Sequence, residues 1–89
     1  MKALYTVKVK KSVLKDLRRI PEVVLQRIET ALRGLSTEPA PMGSEMIQGY
    51  DRYYRIRIAD YRIIYEVAKE IRIITIIRVR HQRDVYKNM

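Results

Sequence analysis

Residues 3 to 9 alternate, with Tyr5, Val7 and Val9 on one side and Thr6 and Lys8 on the other, the two-residue period of a half-buried strand. Behind Ser12, a residue suited to cap a helix N-terminus, Val13, Leu17 and Ile20 recur at helical spacing, which predicts a short helix over residues 12–19. Pro21 lacks the N–H that a continuing helix needs and disfavours helical geometry at Ile20, while its fixed φ suits the first turn of a second helix. In that second helix Val24, Ile28, Ala31 and Leu35 form an apolar stripe with Leu25 and Leu32 beside it, and Gln26, Arg27, Glu29 and Arg33 face away. It reads as an amphipathic helix lying on a sheet. Gly34 weakens its last turn, and residues 37–44, Thr-Glu-Pro-Ala-Pro-Met-Gly-Ser, gather most of the chain's breakers into an expected loop.

From Arg52 onward the period changes from helical to extended. Tyr54, Ile56 and Ile58 alternate with Tyr53, Arg55 and Arg57, so that one strand face is apolar and the other carries guanidinium groups. Ala59-Asp60 turns the chain into Tyr61, Ile63, Tyr65 and Val67, which alternate with Arg62, Ile64 and Glu66, completing a hairpin. After a turn at Ala68-Lys69-Glu70, residues Ile71 to Val79 are rich enough in β-branched side chains to read as a central strand buried on both faces. The tail from His81 to Met89 is polar apart from Val85 and Tyr86. The expected fold is therefore α+β in the order β-α-α-β-β-β. Two helices from the N-terminal half cover one face of a mainly antiparallel, twisted sheet of about four strands, followed by a short C-terminal tail. No internal repeat is present, and the 89 residues read as one domain.

A chain of this length buries only about 60% of its unfolded surface, which leaves room for one core and excludes a separate cofactor domain. With 19 Lys and Arg against 10 Asp and Glu, the formal charge is +9, and such an excess points to a polyanionic partner, either nucleic acid or an acidic protein. Disorder is excluded because 47% of residues are hydrophobic and fall in periodic runs. Cysteine is absent and histidine occurs once, so disulfides, thiolate metal sites and closed zinc sites lack their ligands. Neither a metal nor a cofactor is expected. No apolar run approaches the roughly 20 residues needed to span a bilayer, and the N-terminus alternates instead of offering a signal-peptide core. The expected location is the cytoplasm, without a membrane partner.

The plain reading of the arginines is a solvated sheet face kept charged for solubility. Three features argue for more. Residues 52–87 hold ten basic residues against four acidic ones, nearly all of the basic groups are Arg, and Arg binds phosphate with a planar fork. Strand alternation also sets Arg55 and Arg57 on one face about 7 Å apart. Adjacent strands bring Arg62 and one of Arg78 or Arg80 beside them, and together these make a phosphate-binding floor. Tyr54, Tyr61 and Tyr65 share the parity of apolar neighbours and read as core. Tyr53 shares the parity of the arginines and Tyr86 lies in the polar tail, so either could stack on an unpaired base. His81 is the only side chain with an ordinary pKa near neutrality, and it stands among Arg80, Arg83, Asp84 and Tyr86. That set suits RNA cleavage without a metal: a base activates the ribose 2′-OH, cations stabilise the phosphorane-like charge, and an acid protonates the leaving 5′-oxygen. Arginine is too basic to act as the base, so proton transfer falls on His81 and Tyr86.

The segment from Tyr53 to Glu66, Tyr-Tyr-Arg-Ile-Arg-Ile-Ala-Asp-Tyr-Arg-Ile-Ile-Tyr-Glu, followed by Arg80-His81-Gln82-Arg83-Asp84-Val85-Tyr86, resembles the RelE/ParE toxin superfamily, particularly its RelE branch. Leu17-Arg18-Arg19-Ile20-Pro21 and Leu32 to Pro39 fit as well, so the resemblance covers almost the whole chain. It implies a toxin of a type II toxin–antitoxin pair, an mRNA interferase that enters the ribosomal A site, cuts mRNA there, and is held inactive by an acidic cognate antitoxin. On that resemblance Arg55, Arg57 and Arg62 contact the scissile region, Tyr86 lies beside them, and His81 and Arg83 complete the catalytic set. Arg52, Tyr53, Arg78 and Arg80 complete the RNA contacts. The family commonly writes Gly-His-Arg before the tail where this chain has Arg80-His81-Gln82, so Arg78, Arg80 and Arg83 all stand as candidates for the guanidinium that meets the scissile phosphate.

Two rival readings stand beside this one. A ParE-like toxin has the same fold but a protein target, DNA gyrase, and generally lacks the basic pair and the His-to-Tyr tail. A non-catalytic RNA-binding module would recognise RNA without cutting it, and a small acidic antitoxin in the neighbouring reading frame would exclude it.

Overall fold

The computed structural model describes residues 4–50 and 52–82. The elements run β1 (Thr6–Val9), α1 (Lys11–Leu17), α2 (Glu22–Gly34), β2 (Ser44–Met46), β3 (Tyr53–Ile58), β4 (Tyr61–Ala68) and β5 (Ile73–His81). Five strands form one sheet in the order β1-β5-β4-β3-β2. All neighbours are antiparallel except β1 and β5, which run parallel. The two-helix, α+β expectation holds, with one correction. The sheet has five strands where about four were expected, because Ser44, at the end of the expected loop, opens the short strand β2 against Ile56 to Tyr54.

Smaller differences have local causes. The first helix spans Lys11–Leu17 instead of 12–19, and its cap is Lys10, without a side-chain hydrogen bond, so Ser12 lies inside the helix. The last strand opens at Ile73; Ile71 precedes it, is 66% exposed, and belongs to the β4–β5 turn, where Arg72 takes a positive φ of 55°.

The helices press Val13, Ile20, Ile28, Leu32 and Leu35 onto Ile56, Ile63, Tyr65, Val67, Ile74, Ile76 and Val79. Removing this apolar surface from water is the main stabilising term. Tyr54 and Tyr65 stack within this layer, their ring centroids 5.7 Å apart, and the Tyr65 hydroxyl donates to the Pro39 carbonyl at 2.8 Å. That bond ties the segment leading to β2 onto the core. The same C-terminal end of α2 is tied to the start of β1, where the Tyr5 N–H donates to the Ser36 carbonyl and the Ser36 hydroxyl donates back to the Tyr5 carbonyl.

One irregularity decides what the open face carries. Ile74 and Ile76 point into the core, and unbroken alternation would send Arg78 and Arg80 in after them, at a prohibitive desolvation cost. Between Ile64 and Tyr65 the β4–β5 register shifts, Ile64 facing Arg78 while Tyr65 faces Ile76, which leaves Ile77 as an extra residue. The resulting β-bulge reverses parity, so that Val79 is buried and Arg78 and Arg80 are exposed.

Candidate functional site

With both helices on one side, the opposite face of the sheet is left open, and the register lines its arginines up in rungs. The first rung runs Arg57, Arg62, Arg80 across β3, β4 and β5, and the second runs Glu45, Arg55, Ile64, Arg78 across β2 to β5. Neighbours within a rung have Cα atoms roughly 4.5–5.5 Å apart, and the rungs are separated by about 7 Å along each strand. Arg55, Arg57 and Arg62 of the hairpin therefore share rungs with Arg78 and Arg80, both of which the bulge turns to this face.

A cleft of about 220 Å³ opens over part of this face, lined by Gly43, Glu45, Arg55, Ile56, Arg57 and Arg62. Each arginine is held differently. Arg55 Nη2 donates to Glu45 Oε2 at 2.9 Å. Arg57 Nε donates to the Ala59 carbonyl at 3.0 Å, and its Nη2 lies 3.8 Å from Asp60 Oδ1, so the tight β3–β4 turn orients it. Arg62 has no carboxylate partner among the described residues. These exposed pairs are worth little to stability, about 0–1 kcal/mol each. Their consequence is positional: two forks are aimed at the cleft, and a third charge there is left uncompensated and attractive to an anion.

The remaining expected residues separate into groups. Arg78 shares the second rung but lies beyond Ile64. Arg80 shares the first rung, and its Nη1 lies 3.9 Å from Asp16 Oδ1 of α1, round the end of β5 that extends past β1. Arg52 flanks the floor, with Nη2 3.6 Å from Glu70 Oε2. Tyr53 is on the arginine side, one pleat from Arg55. His81 is on the helix side: its ring meets that of Tyr61 edge-on at 5.1 Å, and with Asp16, Arg19, Ile20, Val79 and Arg80 it lines a second, smaller cleft. Val79 and His81 share a parity that the bulge turned toward the helices, so the imidazole lies across the sheet from the three arginines. Arg83 and Tyr86 lie outside the described residues.

Sequence reasoning missed Glu45, the carboxylate within the cleft. Its strand has three residues, too few to show a period, and follows the Pro- and Gly-rich segment. Among the described residues no group of three or more His, Cys, Asp or Glu is close enough to hold a metal ion, and no helix is long and apolar enough to cross a membrane.

An open arginine-lined sheet face opposite two helices defines the class, and comparison with known proteins agrees. The family described as "ParE toxin of type II toxin-antitoxin system, parDE" matches residues 7–86. The chain is 33% identical over 87 residues to the putative toxin RelE1 of Methanocaldococcus jannaschii, covering 94% of this chain and 97% of that protein. It is 30% identical over 84 residues to toxin RelG of Mycobacterium tuberculosis, covering 93% and 97%. The RelE chain in the crystal structure of the archaeal RelE–RelB complex from Pyrococcus horikoshii superposes with a TM-score of 0.81 at 30% identity, over 92% of this chain and 97% of that one. The chain belongs to the RelE/ParE family of type II toxins, and its named relatives identify it as RelE-like.

Proposed function

We propose that this RelE-like toxin is an endoribonuclease that enters the A site of the ribosome, in the cytoplasm, and cleaves mRNA there by attack of a ribose 2′-OH on the adjacent phosphate. The observation that carries the reading is the cleft in which Arg55, Arg57 and Arg62 converge beside the Glu45 carboxylate. Three guanidiniums can bind a phosphodiester and stabilise the extra negative charge of its five-coordinate transition state. A phosphate arriving at Arg55 competes for the fork that now holds Glu45, and the released carboxylate can take the 2′-OH proton. The 2′-oxygen then bonds to phosphorus as the P–O5′ bond breaks. The products are a 2′,3′-cyclic phosphate and a 5′-OH end, the leaving oxygen taking its proton from the Tyr86 phenol. In this scheme proton acceptance falls to Glu45 in place of His81, whose ring is engaged with Tyr61 on the helix side. No step uses a metal.

The cleft is shallow and offers only part of an active site, which supports dependence on the ribosome to bend and hold the message in an attack-ready geometry. The similar RelE chain of Pyrococcus horikoshii was solved with RelB, and by the same reading this toxin is held inactive by a cognate antitoxin. Its +9 charge suits an acidic one that covers the Arg55, Arg57 and Arg62 face or displaces the tail.

Primer extension on a reporter mRNA in a translating extract tests the proposal. The expected result is new 5′ ends within A-site codons only when the protein is present, and far slower cutting of the same mRNA without ribosomes. Equal cutting of naked mRNA would remove the ribosome from the account. An uncut message together with inhibited DNA gyrase would replace the proposal with a ParE-like protein target.

A further inference from the structure

Tyr50 is 62% exposed and contributes nothing to the core, yet it is held in place. Its ring stacks on that of Tyr53, with centroids 5.9 Å apart and planes at 22°. The backbone beneath is pinned by three hydrogen bonds: the Ile47 N–H donates to the Tyr53 carbonyl at 2.8 Å, the Tyr50 N–H to the Ile47 carbonyl at 3.0 Å, and the Tyr53 N–H to the Tyr50 carbonyl at 3.0 Å. Gly49, at a φ of +85°, supplies the left-handed residue that this tight turn requires. Tyr54, the next residue along, is spent on the fold, stacked on Tyr65 over the helices. The Tyr50–Tyr53 pair faces the other way, on the arginine side.

We infer that Tyr50 and Tyr53 form a stacking subsite for an unpaired RNA base, next to the phosphate held on the arginine floor. The inference rests on the RNA reading proposed above and names how the substrate's neighbouring nucleotide is gripped. Tyr53 precedes Arg55 on the same face of β3 at about 7 Å, two residues of strand rise. A phosphate on Arg55 therefore leaves the attached nucleoside within reach of the tyrosines. Two rings pre-stacked and anchored through their backbones lose little side-chain freedom on binding, and every base offers a π-face, so the subsite adds affinity without reading sequence.

The test measures affinity of the full chain for a short single-stranded oligoribonucleotide and for the same oligomer carrying abasic nucleotides, at one fixed salt concentration, by fluorescence anisotropy. Because stacking contributes about 1–3 kcal/mol per base, Tyr50→Ala is expected to weaken the intact oligomer roughly 5- to 150-fold. It should leave the abasic oligomer unchanged, and Tyr50→Phe should bind like wild type. Tyr50 is exposed, so circular dichroism of the variant should match wild type. Equal losses on both oligomers, or none on either, would overturn the subsite, as would a Tyr50→Ala defect seen only in binding an acidic antitoxin peptide. Arg55→Ala separates the two readings. If it leaves both oligomers bound as before while Tyr50→Ala still weakens only the intact one, the subsite stands and the arginine floor falls. If Arg55→Ala weakens both and Tyr50→Ala neither, the floor stands and the subsite falls.

Discussion

Replacing Tyr65 by Phe removes one oxygen from a side chain with no exposed surface, at the point where the core holds the segment that leads to β2. The ring is kept, so no cavity opens and the stacking on Tyr54 survives. What is lost is the 2.8 Å hydrogen bond to the Pro39 carbonyl, and a part-buried acceptor left without its donor costs about 1–3 kcal/mol. For a domain of this size each kcal/mol moves the melting temperature by roughly 4–8 °C, so a fall of about 4–24 °C is expected at pH 7. The same burial gives the effect a pH signature. Desolvation, partly offset by a hydrogen bond with Ser44, raises the Tyr65 pKa above its ordinary value of 10.0. A phenol that ionises less readily when folded stabilises fully below the unfolded value, and that contribution is lost as pH rises from about 10 toward the folded value. Urea melts of both proteins from pH 7 to pH 11 should show a gap that is constant up to about pH 10 and narrows above it. A variant as stable as wild type at pH 7, or a gap that stays constant to pH 11, would refute the reasoning.

Ala59 occupies left-handed backbone at φ +54° in the turn that orients Arg57. Ala59→Gly should therefore stabilise by about 1 kcal/mol, read as a rise of several degrees in a thermal melt, and an unchanged melt would contradict the strain. Association with an acidic antitoxin peptide should slow as salt is raised, because steering by exposed charges is screened over about 8 Å at physiological ionic strength; a salt-independent on-rate would contradict it. Glu45→Gln and Tyr86→Phe should each lower single-turnover cleavage by roughly 10²- to 10⁴-fold, the usual cost of losing a positioned base or acid. His81→Ala should instead lower thermal stability through its lost contact with Tyr61, and the opposite pattern would return proton transfer to the histidine.

The hairpin was legible because Ile56 and Ile63 recur against Arg55, Arg57 and Arg62 with an unbroken period of two, and the sheet register keeps each on the expected face. Residues 73–77, Ile-Ile-Thr-Ile-Ile, carry no comparable alternation. A central strand was legible there, but the bulge at Ile77 was not, since only pairing with β4 reveals it. The side on which His81 falls depends on that bulge, which is why its neighbours in sequence, Arg80 and Arg83, gave no warning that it faces the helices. Glu45 and Tyr50 were invisible for a different reason. Glu45 stands in a short strand placed by its pairing with β3, and Tyr50 in a turn outside any periodic run, where only the folded backbone brings its ring onto that of Tyr53. The parallel pairing of β1 with β5 likewise has no local signature.

The central claim is that the arginine cleft performs phosphodiester chemistry on ribosome-bound mRNA. Its most direct test is the single-turnover cleavage rate on programmed ribosomes at saturating protein, wild type against the Arg55→Ala, Arg57→Ala double variant, with circular dichroism confirming the fold of both. Since neither arginine belongs to the core, the variant should fold normally. The account predicts that wild type cuts in the A-site codon and leaves a 2′,3′-cyclic phosphate end, and that the double variant is slower by at least about 10²-fold, the usual cost of removing transition-state charge stabilisation. Cleavage by the double variant at the wild-type rate, or no cleavage by the wild type under these conditions, would contradict it.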